Sequence, residues 1–204
     1  MTTARDDILG RVRRATASAT APSVGRDYRQ SAPADIELLA DRLVDYRATV
    51  LRCLPNEVAS AVESALSGVG VRRVIVPDGL ASQFHPSHLP VHVDNGTASA
   101  TALDRDDLAA VTTCAVAIAE TGTLVLDGSE GQGRRLLTLV PDHHVCVVPV
   151  DRVVATVPEA VARLDPLRPL TWISGPSATS DIELRRVEGV HGPRHLIVVL
   201  VDDR

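Results

Sequence analysis

The sequence predicts an α/β protein, a three-layer α/β/α arrangement on a mostly parallel or mixed sheet with N-terminal helices added. Three observations predict it. Short apolar, β-branched runs such as Val71 to Val76, His144 to Val150 and Leu196 to Val201 read as buried strands. Segments with helical apolar spacing alternate with them. Near the C-terminus a strand at Leu170 to Ile173 meets the small-residue turn Ser174-Gly175-Pro176-Ser177. A helix capped at Ser180, a loop through Gly189-Val190-His191-Gly192-Pro193 and a last strand come next, the order in which α/β proteins build a ligand crevice.

A length of 204 residues with 45% hydrophobic content suits one α/β domain, residues 35–204, behind an arm and linker over residues 1–34. Asp6 to Ser18 can form a short helix with few apolar anchors, and Ala19 to Ala34 is rich in Ser, Ala, Pro and Gly. From Asp35, the residues Ile36, Leu39, Leu43, Tyr46 and Val50 recur at helical spacing, and a second helix from about Asn56 to Leu66 stops at Gly68. Val71 to Val76 and Val91 to Val93 read as strands, and Asp104 as the cap of a helix through Ala110. Strands are expected next at Cys114 to Glu120, Thr123 to Leu126 and His144 to Val150, then a helix from Val157 to Leu164.

Composition removes several classes of function. Phe84, Trp172, Tyr28 and Tyr46 are the whole aromatic complement, so the core is aliphatic and base-stacking platforms are scarce. A net charge of −5 disfavours nucleic acid and anionic membrane surfaces. All 21 basic residues are Arg, which excludes an internal Schiff base, a Lys general base and a P-loop Lys. Arg must do all cationic recognition and suits carboxylates and phosphates, although codon bias explains the absence of Lys equally well. Cys53, Cys114 and Cys146 are widely spaced in apolar surroundings and read as reduced core thiols, with no iron–sulfur cluster in this chain. No apolar run approaches the roughly 20 residues of a membrane span, and the N-terminus is polar and Arg-bearing. A cytoplasmic location is the expectation, and homo-oligomerisation is left open.

Glu120 stands at the end of one apolar run, with Thr121-Gly122-Thr123 leading into the next, which predicts a tight hairpin. A partly buried Glu120 can serve as base, nucleophile or ligand anchor, or simply accept hydrogen bonds from the turn. Asp127 to Arg135 combines Gly128, Gly131 and Gly133 with Arg134 and Arg135. This is either an anion-binding loop or a solvated one. Ser180 and Glu183 match a capping box, and Asp181 already complements the helix dipole, leaving Ser174, Ser177 and Thr179 as ligand donors. His85, His88 and His92 have metal-like spacing, but Pro86 and Pro90 prevent one helical face, so no metal site is expected. His143 and His144 would point to opposite faces of a strand, which leaves His191 as the better functional histidine.

Taken in order, Ala119-Glu120-Thr121-Gly122-Thr123, Gly131-Gln132-Gly133-Arg134-Arg135, Ser174-Gly175-Pro176-Ser177 with Asp181-Ile182-Glu183, and Gly189-Val190-His191-Gly192-Pro193 resemble the LUD-domain family over about Val71 to Val201. That resemblance implies the fold group of ribose-5-phosphate isomerase, glucosamine-6-phosphate deaminase and the CoA-transferases. It also implies an accessory subunit of a bacterial system that oxidises L-lactate to pyruvate with iron–sulfur partner proteins. The cluster-binding Cys motifs of the larger LUD-containing partner are missing here, so clusters are expected only in the partners. A stand-alone isomerase or transferase acting on a sugar phosphate or CoA thioester through Glu120, and a non-enzymatic regulator that binds an organic acid, are the alternatives.

Overall fold

Local hydrogen bonds decide where the helices begin. In this computed structural model, which describes residues 3–176, 178–179, 187–188 and 192–202, Thr3 and Asp6 form a capping box that opens α1 (Ala4–Thr16), a helix with no buried residue. The Asp35 carboxylate accepts the Leu38 N–H at 3.0 Å and opens α2 (Ile36–Asp45), which buries Leu39 and Leu43.

The apolar spacing that runs on through Tyr46 to Val50 misleads. Arg47 takes a left-handed conformation (φ 67°), the Ala48 N–H bonds back to the Leu43 carbonyl at 2.9 Å, and α2 stops. Val50 then belongs to β1 (Thr49–Cys53), a strand that the helical reading hid.

A 3₁₀ turn at Pro55–Glu57 leads into α3 (Val58–Leu66), followed by β2 (Arg73–Pro77) and β3 (Val91–Asp94). The helix expected from Asp104 to Ala110 is not found. Ser99 caps a single turn, α4 (Ala100–Leu103), and the apolar residues beyond it form β4 (Leu108–Thr113). Asp107 anchors that change instead of capping, because Arg73 and Arg105 each place Nε 3.0 Å from its carboxylate. The single strand expected over Cys114 to Glu120 is also divided: the chain leaves β4 at Thr113 and enters a second sheet at β5 (Val116–Ile118), paired with β6 (Thr123–Leu126). Then come β7 (His143–Pro149), β8 (Val153–Val154), α5 (Val157–Arg163), β9 (Thr171–Ile173), β10 (Ala178–Thr179), β11 (Val187–Glu188) and β12 (His195–Val201).

Six strands in the order β1-β12-β7-β4-β2-β3 form an entirely parallel sheet. Their near-continuous apolar sequences fit burial on both faces. On one face Val111, Val145, Val147 and Val199 pack with Val58, Val62 and Leu66 of α3. On the other, Cys146, Val148, Val198 and Leu200 pack with Leu39 and Leu43 of α2 and with Ala117, Leu124 and Leu126 of the smaller sheet. These are the three layers expected, with a sheet sharing the second outer layer. That sheet has the order β8-β5-β6-β9, and its far side, Val116, Ile118, Val125 and Val154, is covered by Ala160 of α5 and by Leu164. α5 therefore forms a further layer.

β9 differs from the fully buried strand expected at Leu170 to Ile173. It is an edge strand, and Trp172 on it is 44% exposed. β10 and β11 pair antiparallel with each other, and the helix expected from Ser180 lies outside the described residues. Among the described residues no helix is long and apolar enough to cross a membrane.

Gly133 makes the closest approach in the Gly-rich loop. Its φ is +71°, and a β-carbon there would lie 2.7 Å from Pro77 Cβ and 2.9 Å from Leu137 Cδ1. Gly133→Ala is expected to cost about 2 kcal/mol through left-handed strain and overpacking, measured as a fall in the urea midpoint at unchanged m value.

Candidate functional site

The loop after β6 is built by its own side chains. The Gln132 side chain, nearly fully buried, accepts the Asp127 N–H at 2.6 Å and donates to Ser129 Oγ at 2.6 Å. The Asp127 carboxylate accepts both the N–H and the hydroxyl of Ser129. Asp127 is held below the ordinary carboxylate range: burial, the largest single influence, pushes it up, and the Ser129 bonds with Arg168 together outweigh that push. Within the loop Gly131 and Gln132 are buried, while Gly128, Glu130 and Arg135 are exposed. Gly131 seats it on the main sheet: its N–H donates to the Asp78 carbonyl at 3.3 Å, and its carbonyl accepts the Thr113 N–H at 2.9 Å.

Past the loop the two arginines part. Arg134 Nε lies 2.7 Å from Asp94 Oδ2 and its Nη2 lies 3.1 Å from Oδ1, while Nη2 also donates to the Ala98 carbonyl. Asp94 sits at the end of β3 with a side chain only 3% exposed, and the Arg134 bonds hold it below the usual carboxylate range. Arg135 is exposed, and its guanidinium makes no ion pair or hydrogen bond with a described residue. It stands where two lobes of one crevice meet.

The larger lobe, about 510 Å³, runs past Asp78, Asp94, Glu130, Gly133 and Arg134. The smaller, about 250 Å³, is lined by His144, Trp172, Ser174 and Gly175. Arg135, Thr138 and Thr171 belong to both.

The β5–β6 hairpin forms as the sequence implies, with Ile118 opposite Thr123 and Gly122 at φ +60°. A β-carbon on Gly122 would meet Arg42 Cβ at 2.7 Å, so the turn lies against the end of α2. The burial expected of Glu120 is not found. Its side chain is 47% exposed, bonds Arg29 of the N-terminal arm at 2.5 Å and lines neither lobe. The hairpin reaches the crevice through hydroxyls instead. Thr121 Oγ1 lies 2.7 Å from Thr123 Oγ1, which lies 2.8 Å from Ser174 Oγ on the wall of the small lobe.

Arg134, Arg135, Gly133, Ser174 and Gly175 are thus brought together. Gly131 supports them from behind, and Thr121 and Thr123 reach them through the hydroxyl chain. Thr179 contributes backbone pairing with Val187 in the β10–β11 ladder, and Ser177, Asp181 and His191 lie outside the described residues. His85 and His88 have separate partners, the Leu80 carbonyl and Glu63.

Sequence reasoning missed Asp94, Thr138 and His144. The opposite facing of His143 and His144 was the available signal. His143 stacks on His195 with ring centroids 4.6 Å apart, while His144 turns to the crevice and meets Thr112 Oγ1 through Nε2 at 2.8 Å.

The LUD domain matches residues 101–201, from α4 through β12. A lactate utilization protein C of Deinococcus radiodurans is 50% identical over 165 residues, which cover 79% of this chain and 76% of that protein. This chain belongs to the LUD-domain family. Another lactate utilization protein C, from Geobacillus thermodenitrificans, is 31% identical over 170 residues, 73% of this chain and 70% of its own length. A crystal structure of a DUF162 family protein from Deinococcus radiodurans superposes with a TM-score of 0.70 at 42% identity, covering 82% of this chain and 96% of that one. In this LUD-domain protein the matched segment contains Arg135, Thr138, His144, Thr171 and Ser174, the residues around the small lobe.

Arg134→Ala is expected to destabilise the protein by about 2–3 kcal/mol, since it leaves the buried Asp94 carboxylate unpaired. Arg135→Ala is expected to stay within about 0.5 kcal/mol of the native protein. Chemical unfolding of the two variants side by side measures the difference.

Burial pushes the His144 imidazole down to about 4, while an unfolded chain protonates it near 6.5. His143 moves in the same direction, through burial and then the neighbouring His195, against the pull of Asp142. Because the folded state resists the proton, the stability linked to His144 is full above pH about 6.5 and is lost as pH falls to about 4, on the order of 3 kcal/mol. Urea titrations between pH 7 and pH 4 should show this decline, and it should be shallower in His144→Leu.

Proposed function

We propose that this chain is an accessory subunit of a bacterial L-lactate utilisation system, acting in the cytoplasm with iron–sulfur partner proteins that oxidise L-lactate to pyruvate, and that its crevice holds the small carboxylate. The observation that carries the carboxylate site is the Arg135 guanidinium where the lobes meet, without an ion pair or hydrogen bond among the described residues, beside an Arg134 already engaged by Asp94. The names of the relatives support the lactate setting.

Charge supports a monoanion over a phosphate ester or CoA thioester. Arg134 and Asp94 offset one another, and the remaining charged groups of the larger lobe among the described residues are Arg135 with Asp78 and Glu130. A polyanion would meet two carboxylates with one cation in hand, whereas a monocarboxylate needs only that cation. Thr138, Thr171 and Ser174 add hydroxyl groups along the wall.

Arg135→Ala is expected to weaken L-lactate and pyruvate binding at least about tenfold in calorimetry, as loss of a charge-assisted pair does, and to reduce lactate oxidation when the variant replaces the native chain in the host. Affinity isolation at mild salt should recover iron–sulfur proteins together with lactate-oxidising activity. Oxidation of lactate by the purified chain alone would overturn the accessory role. Turnover of a sugar phosphate or CoA thioester that disappears in Glu120→Gln would assign a stand-alone enzyme instead.

A further inference from the structure

Of the two buried titratable side chains that line the crevice among the described residues, Asp94 is committed to Arg134, while His144 has no ion pair. His144 is the second residue of β7 and is 1% exposed. Its backbone neighbours across the ladder are Ala110 and Leu196, so both flanks of the ring position are apolar. Thr112, on the adjacent β4 and itself fully buried, holds Nε2 at 2.8 Å, and Nδ1 has no partner among the described residues.

Both the imidazole and Arg135 line the 250 Å³ lobe, a space suited to a ligand of a few heavy atoms. Their chemistry divides the work. Arg135 brings charge and a two-pronged donor that matches a carboxylate. A buried, neutral imidazole brings one N–H and no charge, so it is matched to an uncharged oxygen.

We propose that Arg135 and His144 together recognise a 2-hydroxy or 2-oxo monocarboxylate, the guanidinium taking the carboxylate and the Nδ1–H of His144 taking the oxygen on C2. Thr112 is the positioning residue. In this proposal its hydroxyl donates to Nε2 and the ring proton is on Nδ1, the tautomer that can donate to a hydroxyl or a keto oxygen alike. This inference rests on the carboxylate site at Arg135 and adds to it a reader for the second functional group. The lobe would then discriminate lactate and pyruvate from propionate, which has the same carbon chain and no oxygen on C2.

Calorimetry on the full chain with L-lactate, pyruvate and propionate tests it. The native protein should bind the two oxygenated acids at least about tenfold more tightly than propionate, because they alone gain the hydrogen bond from Nδ1. Thr112→Val combined with His144→Leu should bring both oxygenated acids down to the propionate level and leave propionate within about twofold. Thr112→Val alone, with the ring retained, should weaken lactate and pyruvate without affecting propionate. Propionate binding as tight as lactate binding in the native protein would overturn the role of His144 while Arg135 keeps its carboxylate. Failure of all three acids to bind would overturn the carboxylate site and this inference with it. The native selectivity decides the matter even if the double variant does not fold.

Discussion

The architecture of the crevice depends on how Gly131 sits on the end of β4. Thr113, the last residue of that strand, donates its N–H to the Gly131 carbonyl and its hydroxyl to the Val147 carbonyl on β7. Gly131 in turn donates to Asp78 just beyond β2. Gly131 therefore ties the loop to β4 and to the end of β2, Thr113 links that junction to β7, and the approach is so close that a β-carbon on Gly131 would lie 3.1 Å from Thr113 Cγ2. Every residue after it in the loop inherits that position, including the arginine pair.

The electrostatic consequence is a division between adjacent, chemically identical side chains. Arg134 neutralises a carboxylate that the end of β3 has taken out of water, so its charge is internal to the fold. Arg135, one residue on, begins a 3₁₀ turn and is carried to the surface of the cleft. A loop that placed both guanidiniums outward would have left Asp94 unpaired, and one that placed both inward would have buried a second cation without a partner. The anchor at Gly131 thus determines how much positive charge a ligand meets.

The parts of the fold that were legible in the sequence were those with one dominant local signal. β7 and β12 are long β-branched runs, and the β5–β6 hairpin has Thr-Gly at its turn. β1 was hidden because Val50 happens to continue the apolar spacing of α2, and only the left-handed Arg47 separates them. β4 was misread because Asp104 resembles a helix cap, whereas the residue that matters, Asp107, is an ion-pair anchor for Arg73 on another strand. At the site, Arg134, Arg135 and Ser174 were recognisable as polar residues in small-residue turns. The unequal fates of the arginines were not, since they depend on Asp94, far back in the chain at the end of β3. His144 was passed over for His191, because a histidine in an apolar run reads as core until its partners across the sheet are known. Glu120 was conspicuous by sequence and proved to be an exposed arm contact.

The smaller sheet is enclosed on both sides, by the main sheet with α2 on one and by α5 on the other, and its β9 edge meets solvent near the cleft. Polar variation is therefore costly on both of its faces and cheap at that edge. Changes at Thr171 and Trp172 alter the wall of the cleft, whereas Gly175 in the turn after them is held against the end of α2, where a β-carbon would lie 2.7 Å from Tyr46 Cβ. The architecture separates the part of the protein that must stay constant in order to fold from the part that can diverge in what it recognises, and the boundary between them runs along a single short strand.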